Sequence, residues 1–246
     1  VDLPFVSVSI RIRKRIPVGA GLGGGSADAA AVLVAMNQLW EKPFNCEQLM
    51  AIGASIGADV PFCVANHDAT SSGPVHAAFA EGIGDRLTPL PGLREVGLLL
   101  INPGYSVSTS DGYAKWDARH SRDAGRKRRA TRGSGCAQAR ALARALAEGD
   151  GDDGGGSVDL RRICALMSND FESLVAEEHV QVLQLKQLLM QAGAIGALMS
   201  GSGPTVFGVY DSPRQAEAAA AAVVFESLAD DDGIRVISTC TSALES

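Results

Sequence analysis

Along residues 6 to 13, Val6, Val8, Ile10 and Ile12 alternate with Ser7, Ser9, Arg11 and Arg13. That period of two predicts a half-buried strand. The alternation gives way to five glycines among residues 19 to 25, then to Ala29, Val32, Leu33, Met36, Leu39 and Trp40 at helical spacing. A helix is therefore expected to open at Ser26 or Ala27 and to end near Trp40. Asn45, with Gln48 three residues on, predicts the capped start of a second short helix. Val96 to Ile101 reads as a buried strand, and residues 170 to 192 as one amphipathic helix. Two further strands, Ala194 to Met199 and Thr205 to Tyr210, flank Ser200-Gly201-Ser202-Gly203-Pro204. Ser212 and Pro213 suit the N-cap and first turn of a helix, and Ile234 to Cys240 closes as a strand. The order predicts an α+β fold with helices on one face of an antiparallel sheet.

Between residues 118 and 158 the periodicity fails. Arg126-Lys127-Arg128-Arg129 stands near its start and a Gly/Asp run, Gly149 to Gly156, near its end. With so few bulky apolar residues to offset ordering entropy, this stretch is expected to be a disordered, dispensable insertion, and its basic run a solvated one.

The 246 residues are 46% hydrophobic and carry a formal net charge of -6. That charge opposes long-range attraction to nucleic acid or an anionic membrane, so any phosphate has to be held by local geometry. Five widely spaced cysteines without a paired Cys or His favour a reducing compartment over a disulfide framework or a zinc site. His67, His76, His120 and His179 show no paired spacing and read as surface or packing residues. No apolar run approaches the roughly 20 residues of a membrane span, and no secretory leader is evident. Val1 in place of an initiator methionine suggests a fragment, a processed product or a truncated gene model.

Gly19, Gly21, Gly23, Gly24 and Gly25 let backbone amides approach an anion with no Cβ in the way and let the chain take positive φ. The helix expected to follow adds free amides and the positive end of its dipole. A diphosphate or triphosphate can thus be held in a loop without Lys or Arg. The plain alternative is a flexible turn, but strand, glycines and helix start coincide here. Gly19, Gly21 and Gly24 also satisfy Gly-x-Gly-x-x-Gly, the dinucleotide fingerprint. Against it, the preceding strand is polar on alternate positions, and Glu41 directly follows the helix instead of ending a second parallel strand. No Gly-Lys-Ser or Gly-Lys-Thr follows the glycines, so a Walker loop is excluded.

The segment Ile16-Pro17-Val18-Gly19-Ala20-Gly21-Leu22-Gly23-Gly24-Gly25-Ser26-Ala27-Asp28 is similar to the second motif of the GHMP superfamily of small-molecule kinases. Its triple glycine is the form typical of the 4-diphosphocytidyl-2-C-methyl-D-erythritol kinases. Gly57-Ala58-Asp59-Val60-Pro61-Phe62 resembles the segment with that family's catalytic aspartate, and Glu81-Gly82-Ile83-Gly84-Asp85 its Gly-x-Gly-Glu turn. Asn102-Pro103-Gly104 with Ser108-Thr109, then Ser168-Asn169-Asp170-Phe171-Glu172, follow in the family's order, and Met199 to Phe207 resembles the third motif.

The resemblance implies a two-lobed α+β GHMP-kinase fold with a ferredoxin-like C-terminal half and with N-terminal strands missing. Residues 1–92 would be the rest of the ATP-binding domain and 93–246 the C-terminal domain. It implies ATP and Mg2+ as cofactors, and transfer of the γ-phosphate to a hydroxyl of a small-molecule cytidyl-diphosphate sugar alcohol in non-mevalonate isoprenoid synthesis. Asp59 would act on the attacking hydroxyl, against the plainer reading of a helix cap. Pro17, Gly19, Gly21, Leu22, Gly23, Gly24, Gly25, Ser26, Ser200, Gly201, Ser202 and Gly203 would line the nucleotide, and Ser26 could also contact the magnesium ion. Thr109 would touch the nucleotide end of the substrate, while Asp28 reads as a first-turn acid. A cytoplasmic protein is expected in a bacterium, a plastid one in a eukaryote.

The family's opening segment, with a lysine, an asparagine and Asp-Gly-Tyr-His, has no counterpart here; Asp111-Gly112-Tyr113-Ala114 copies three letters out of place. The chain as given is accordingly expected to lack activity, and a version extended through that segment to have it. Two rival readings are a GHMP kinase for homoserine or mevalonate and a nucleotide-binding fragment without catalysis.

Overall fold

The computed structural model describes residues 7–67, 75–121, 131–148, 158–227 and 234–241. The chain divides into two compact units, residues 1–18 with 23–91, and residues 19–22 with 92–246.

In the first unit residues 7–13 of the strand expected over residues 6 to 13 form no strand, and Val6 lies outside the described residues. Val8, Ile10 and Ile12 are 40%, 56% and 55% exposed, and no described strand pairs with them. Alternation supplies a face to bury; a strand also needs a neighbour for its N–H and C=O groups. Helix α1 (Gly24–Leu39) opens earlier than its side chains suggest, because Gly23, at φ 65°, turns the chain into it as N-cap. Ser26 is therefore the third helical residue and makes no capping bond. Helix α2 (Cys46–Ala54) begins with the expected reciprocal pair, Asn45 Oδ1 accepting from Gln48 N–H and Gln48 Oε1 from Asn45 N–H, each at 2.9 Å. Helix α3 (Val60–Asn66) carries Pro61 in its first turn, where a missing N–H costs nothing. A hairpin of β1 (Ala77–Glu81) and β2 (Arg86–Leu90) follows. The helices close over Ala30, Leu49, Val60 and Val64.

The second unit begins with β3 (Gly97–Asn102), α4 (Thr109–Ser121), α5 (Thr131–Glu148), α6 (Leu160–Leu166), α7 (Glu172–Glu178) and α8 (Gln181–Gln191). It ends with β4 (Gly196–Met199), β5 (Val206–Tyr210), α9 (Pro213–Ser227) and β6 (Arg235–Cys240). The sheet runs β4-β5-β3-β6 with every neighbouring pair antiparallel. With helices between β3 and β4 and between β5 and β6, this is the expected ferredoxin-like order. Leu99 and Ile101 of β3 meet Val182, Leu185 and Leu189 of α8 and Ala216, Ala219 and Val223 of α9 in one core.

Two stretches differ from their sequence patterns. Residues 170 to 192 form α7 and α8, separated at His179, whose φ of -129° and ψ of 76° leave the helix while its ring stacks on Tyr105 at 4.6 Å. The apolar period runs through the break because Val175 and Val182 enter the same core. Within 118–158, residues 118–121 belong to α4, and α5 occupies 131–148 where disorder was expected. Helix α5 packs on α6 with Ala145 only 5% exposed and Glu148 paired to Arg162 at 3.0 Å. An alanine-rich helix needs little bulk, since alanine has the highest helix propensity and allows close approach. Residues 122–130, with the basic run, and 149–157, with the Gly/Asp run, lie outside the described residues. Among the described residues no helix is long and apolar enough to cross a membrane.

Candidate functional site

The second unit holds Gly19–Leu22 beside the turn that joins β4 to β5. Three successive carbonyls are engaged there: Gly19 O accepts from Val107 N–H at 3.2 Å, Ala20 O from Thr205 N–H at 3.4 Å, and Gly21 O from the Ser200 hydroxyl at 2.8 Å. Among the described residues none accepts from the amides of Gly19 to Leu22. The segment thus uses its acceptors for the fold and keeps its donors. Ala20 is buried, and Leu22 is half-buried. A Cβ on Gly21 would overlap the Ser200 carbonyl oxygen and lie 2.7 Å from Gly203 N; one on Gly201 would lie 2.9 Å from Gly21 O. Both also have positive φ, 72° and 52°, so space and conformation each demand glycine. Ser200, Gly201 and Gly203 are in this way brought against Gly21, with half-buried Ser202 in the same turn.

In the first unit Gly24, Gly25 and Ser26 open α1. Ala27 is the first residue to close the helix, its N–H on Gly23 O at 2.9 Å. The three amides before it have no intrahelical acceptor and stand at the positive end of the helix, whose first turn holds no acid. At Gly24 a Cβ would meet Ile16 Cγ2 at 2.8 Å, so a side chain there would displace Ile16. Gly25 is different: its φ is not positive, and a Cβ would meet nothing within 4 Å. Glycine in a helix costs about 0.5–1 kcal/mol relative to alanine, and nothing in the fold demands it at this position.

Lys14, which the sequence pattern does not single out, bears on the same helix start. Its Nζ donates to Gly24 O at 3.1 Å and pairs with Asp28. Asp28 is therefore not a first-turn acid facing the dipole; it lies further in and is engaged by Lys14. Pro17, half-buried, and Val18, 72% exposed, connect Lys14 to the glycines.

Asp59 occupies the N-cap position of α3, yet its side chain makes no capping hydrogen bond. Its carbonyl accepts from Cys63 N–H at 3.1 Å, placing the Cys63 side chain one turn away. Burial, and after it the Asp59 charge, raises the Cys63 thiol pKa. Removing that charge favours the thiolate, so Asp59→Asn is expected to speed alkylation of Cys63 by iodoacetamide at pH 8. An unchanged rate, followed by mass spectrometry, would detach Asp59 from Cys63.

The hairpin tip touches the same segment. Gly84, at φ 94°, would with a Cβ overlap the Ala58 carbonyl oxygen, and Ile83 N–H is held by Asp85 Oδ1 at 3.1 Å. Gly84→Ala is therefore expected to cost about 1–3 kcal/mol, from strain at positive φ and from displacement of Ala58 beside Asp59. A melting curve that coincides with the parent's would show that the tip yields freely.

Thr109 opens α4, but its side chain lies outside the described residues. Tyr113 packs edge-on to Phe171 at 4.9 Å and is 54% exposed, a surface packing contact. Among the described residues no group of three or more His, Cys, Asp or Glu side chains is placed to hold a metal ion.

The family model of the GHMP kinases N terminal domain matches residues 2–67, and that of the GHMP kinases C terminal matches residues 142–229. The chain belongs to the GHMP kinase family. Among its relatives is the 4-diphosphocytidyl-2-C-methyl-D-erythritol kinase of Alkaliphilus metalliredigens, 38% identical over 195 residues, 77% of this chain and 55% of that protein. The GHMP kinase chain thus spans about half the length of the curated relatives it matches. A crystal structure of 4-(cytidine 5'-diphospho)-2C-methyl-D-erythritol kinase aligns with a TM-score of 0.60 at 28% identity, over 94% of this chain and 69% of that one. Homoserine kinase from Cytophaga hutchinsonii also aligns at 0.60 but is 20% identical, over 94% of this chain and 68% of that one, a likeness of fold.

Proposed function

We propose that this GHMP kinase chain binds ATP through the amides of residues 19–26 and serves γ-phosphate transfer to a hydroxyl of 4-diphosphocytidyl-2-C-methyl-D-erythritol, in isoprenoid precursor synthesis. The observation that carries the nucleotide reading is Gly25, a helical glycine with negative φ and open space around it, beside amides without acceptors. A phosphate oxygen brought to those amides supplies the missing acceptor and explains the missing Cβ. The choice of acceptor alcohol rests on the named relatives.

In this reading Gly19, Gly21 and Leu22 serve the nucleotide with Ser200, Gly201, Ser202 and Gly203 in the second unit, and Pro17, Gly23, Gly24 and Gly25 serve it in the first. The Ser26 hydroxyl serves a phosphate oxygen or Mg2+. One serine suffices for a cation that keeps most of its waters and is held chiefly by substrate phosphates. Held at Ser26, a magnesium ion would supply charge neutralisation for the phosphates. Asp59 orients the acceptor hydroxyl and takes its proton as the oxygen bonds to the γ-phosphorus and ADP leaves. Its carboxylate is free for this because it caps nothing.

The test is phosphate transfer from γ-labelled ATP to the cytidyl substrate, homoserine and mevalonate in parallel, by a version extended through the family's opening segment, with ADP binding to the chain measured by calorimetry. Preferred transfer to homoserine or mevalonate overturns the acceptor and leaves the ATP site standing. Absence of ADP binding overturns both.

A further inference from the structure

We infer that Asn169 and Glu172 are positioning residues, which hold the Ser200–Gly203 turn in the one shape that lets Ser200 clamp Gly21. The inference rests on the nucleotide reading for its functional consequence and on the second unit's own geometry for the clamp itself.

The turn has little reason to be rigid by itself. Gly201 and Gly203 sit at φ 52° and 81°, and its internal backbone bonds are Ser200 N–H to Thr205 O at 2.8 Å and Gly203 N–H to Ser200 O at 2.9 Å. Glycine-rich backbone loses more freedom on ordering than any other, so an external brace matters most here. Asn169 supplies it from both sides of Ser200. Its Nδ2 donates to Met199 O at 2.7 Å and to Gly201 O at 2.8 Å, while its Oδ1 accepts from Phe171 N–H at 2.8 Å and so fixes which way the amide points. Glu172 adds a third tie: Oε2 accepts from Met199 N–H at 2.9 Å, and Oε1 pairs with Lys186 of α8. The Glu172 side chain is 15% exposed, which shields that pair from solvent. Met199 is thereby held through both its N–H and its C=O, and Ser200, the next residue, is aimed at Gly21 O. A helix start on α7 thus fixes the acceptor side of residues 19–22, which leaves their amides for the phosphates.

Asn169→Asp tests this, since the new oxygen cannot donate to either carbonyl yet still accepts from Phe171. Hydrogen exchange followed by mass spectrometry is expected to show the amides of residues 200–205 exchanging about tenfold faster or more, and ADP to bind about tenfold more weakly. Asn37→Asp is the control, the same change at a buried amide that donates to Phe44 O at 2.9 Å in the first unit. It should lower the melting temperature while leaving exchange over 200–205 unaltered, a separation that a merely structural role for Asn169 would not produce. Parental exchange over 200–205 in Asn169→Asp overturns the inference. A parent that binds no ADP overturns the nucleotide reading, and the exchange result still decides the brace. If Asn169→Asp does not fold, Glu172→Gln decides: it keeps an oxygen for Met199 N–H and loses the charge facing Lys186. About threefold faster exchange is expected, and an unchanged pattern overturns the brace.

Discussion

In a version of the chain extended through the family's opening segment, Asp59→Asn is expected to lower phosphate transfer by about 10²-fold or more while leaving ADP affinity within about twofold of the parent. The substitution keeps shape and one hydrogen-bonding oxygen but removes charge and basicity, so it separates proton acceptance from bulk. A capping role would give a different result, because Asn and Asp are nearly equal at N-caps and stability and turnover would both stay parental. The structure weakens that alternative: the Asp59 side chain makes no capping bond although its backbone sits at the N-cap position. Its environment is also set from two directions within the first unit, by the Val60-Pro61 helix start and by Gly84 pressed on Ala58 O. Near-parental turnover in Asp59→Asn would remove the carboxylate from the chemistry and leave the nucleotide site to stand on residues 19–26.

Much of the fold was legible because its elements are fixed by local chemistry. Asn45 and Gln48 cap each other within four residues, and the strands at 97–102, 196–199, 206–210 and 235–240 carry their own β-branched or aliphatic runs. Their ferredoxin-like order came from the resemblance and is the order the sheet adopts. What could not be read depends on partners distant in sequence. Val8, Ile10 and Ile12 have the period of a strand but no described neighbour to complete it. The start of α1 is set by the backbone of Gly23, not by a capping side chain, so Ser26 drew the boundary too late. The break at His179 is hidden because both helices face one core, and α5 is hidden because alanine packs without bulk.

The candidate site divides along the same line. The glycines announced a phosphate loop, but the carbonyl clamps from Val107, Thr205 and Ser200 lie 88 or more residues away in sequence and had no local trace. Lys14 has no local mark of a role, since its contact with Gly24 O depends on where α1 begins. Asn169 and Glu172 stand in a motif, but the backbone groups they hold, at Met199 and Gly201, lie 27 or more residues away in sequence.

Gly21→Ala and Gly25→Ala are expected to part company, and the contrast is the sharpest test of the loop. At Gly21 the methyl overlaps the Ser200 carbonyl oxygen, lies 2.7 Å from Gly203 N and is attached to a residue at φ 72°. Positive φ alone costs a non-glycine residue about 1–2 kcal/mol, and displacement of two backbone groups adds to it. Gly21→Ala should therefore lower both the melting temperature and ADP affinity. At Gly25 the methyl meets nothing within 4 Å and stands in a helix, where alanine is preferred to glycine by up to about 1 kcal/mol. Gly25→Ala should leave the melting temperature unchanged or raise it by a few degrees, yet weaken ADP binding about tenfold or more, because the Cβ would enter the space proposed for phosphate beside the Gly24, Gly25 and Ser26 amides. Calorimetry and thermal melts on the two variants distinguish the causes. A Gly25→Ala protein that is both as stable as the parent and as tight for ADP would show that the open space at Gly25 holds no ligand, and would move the phosphates away from the start of α1.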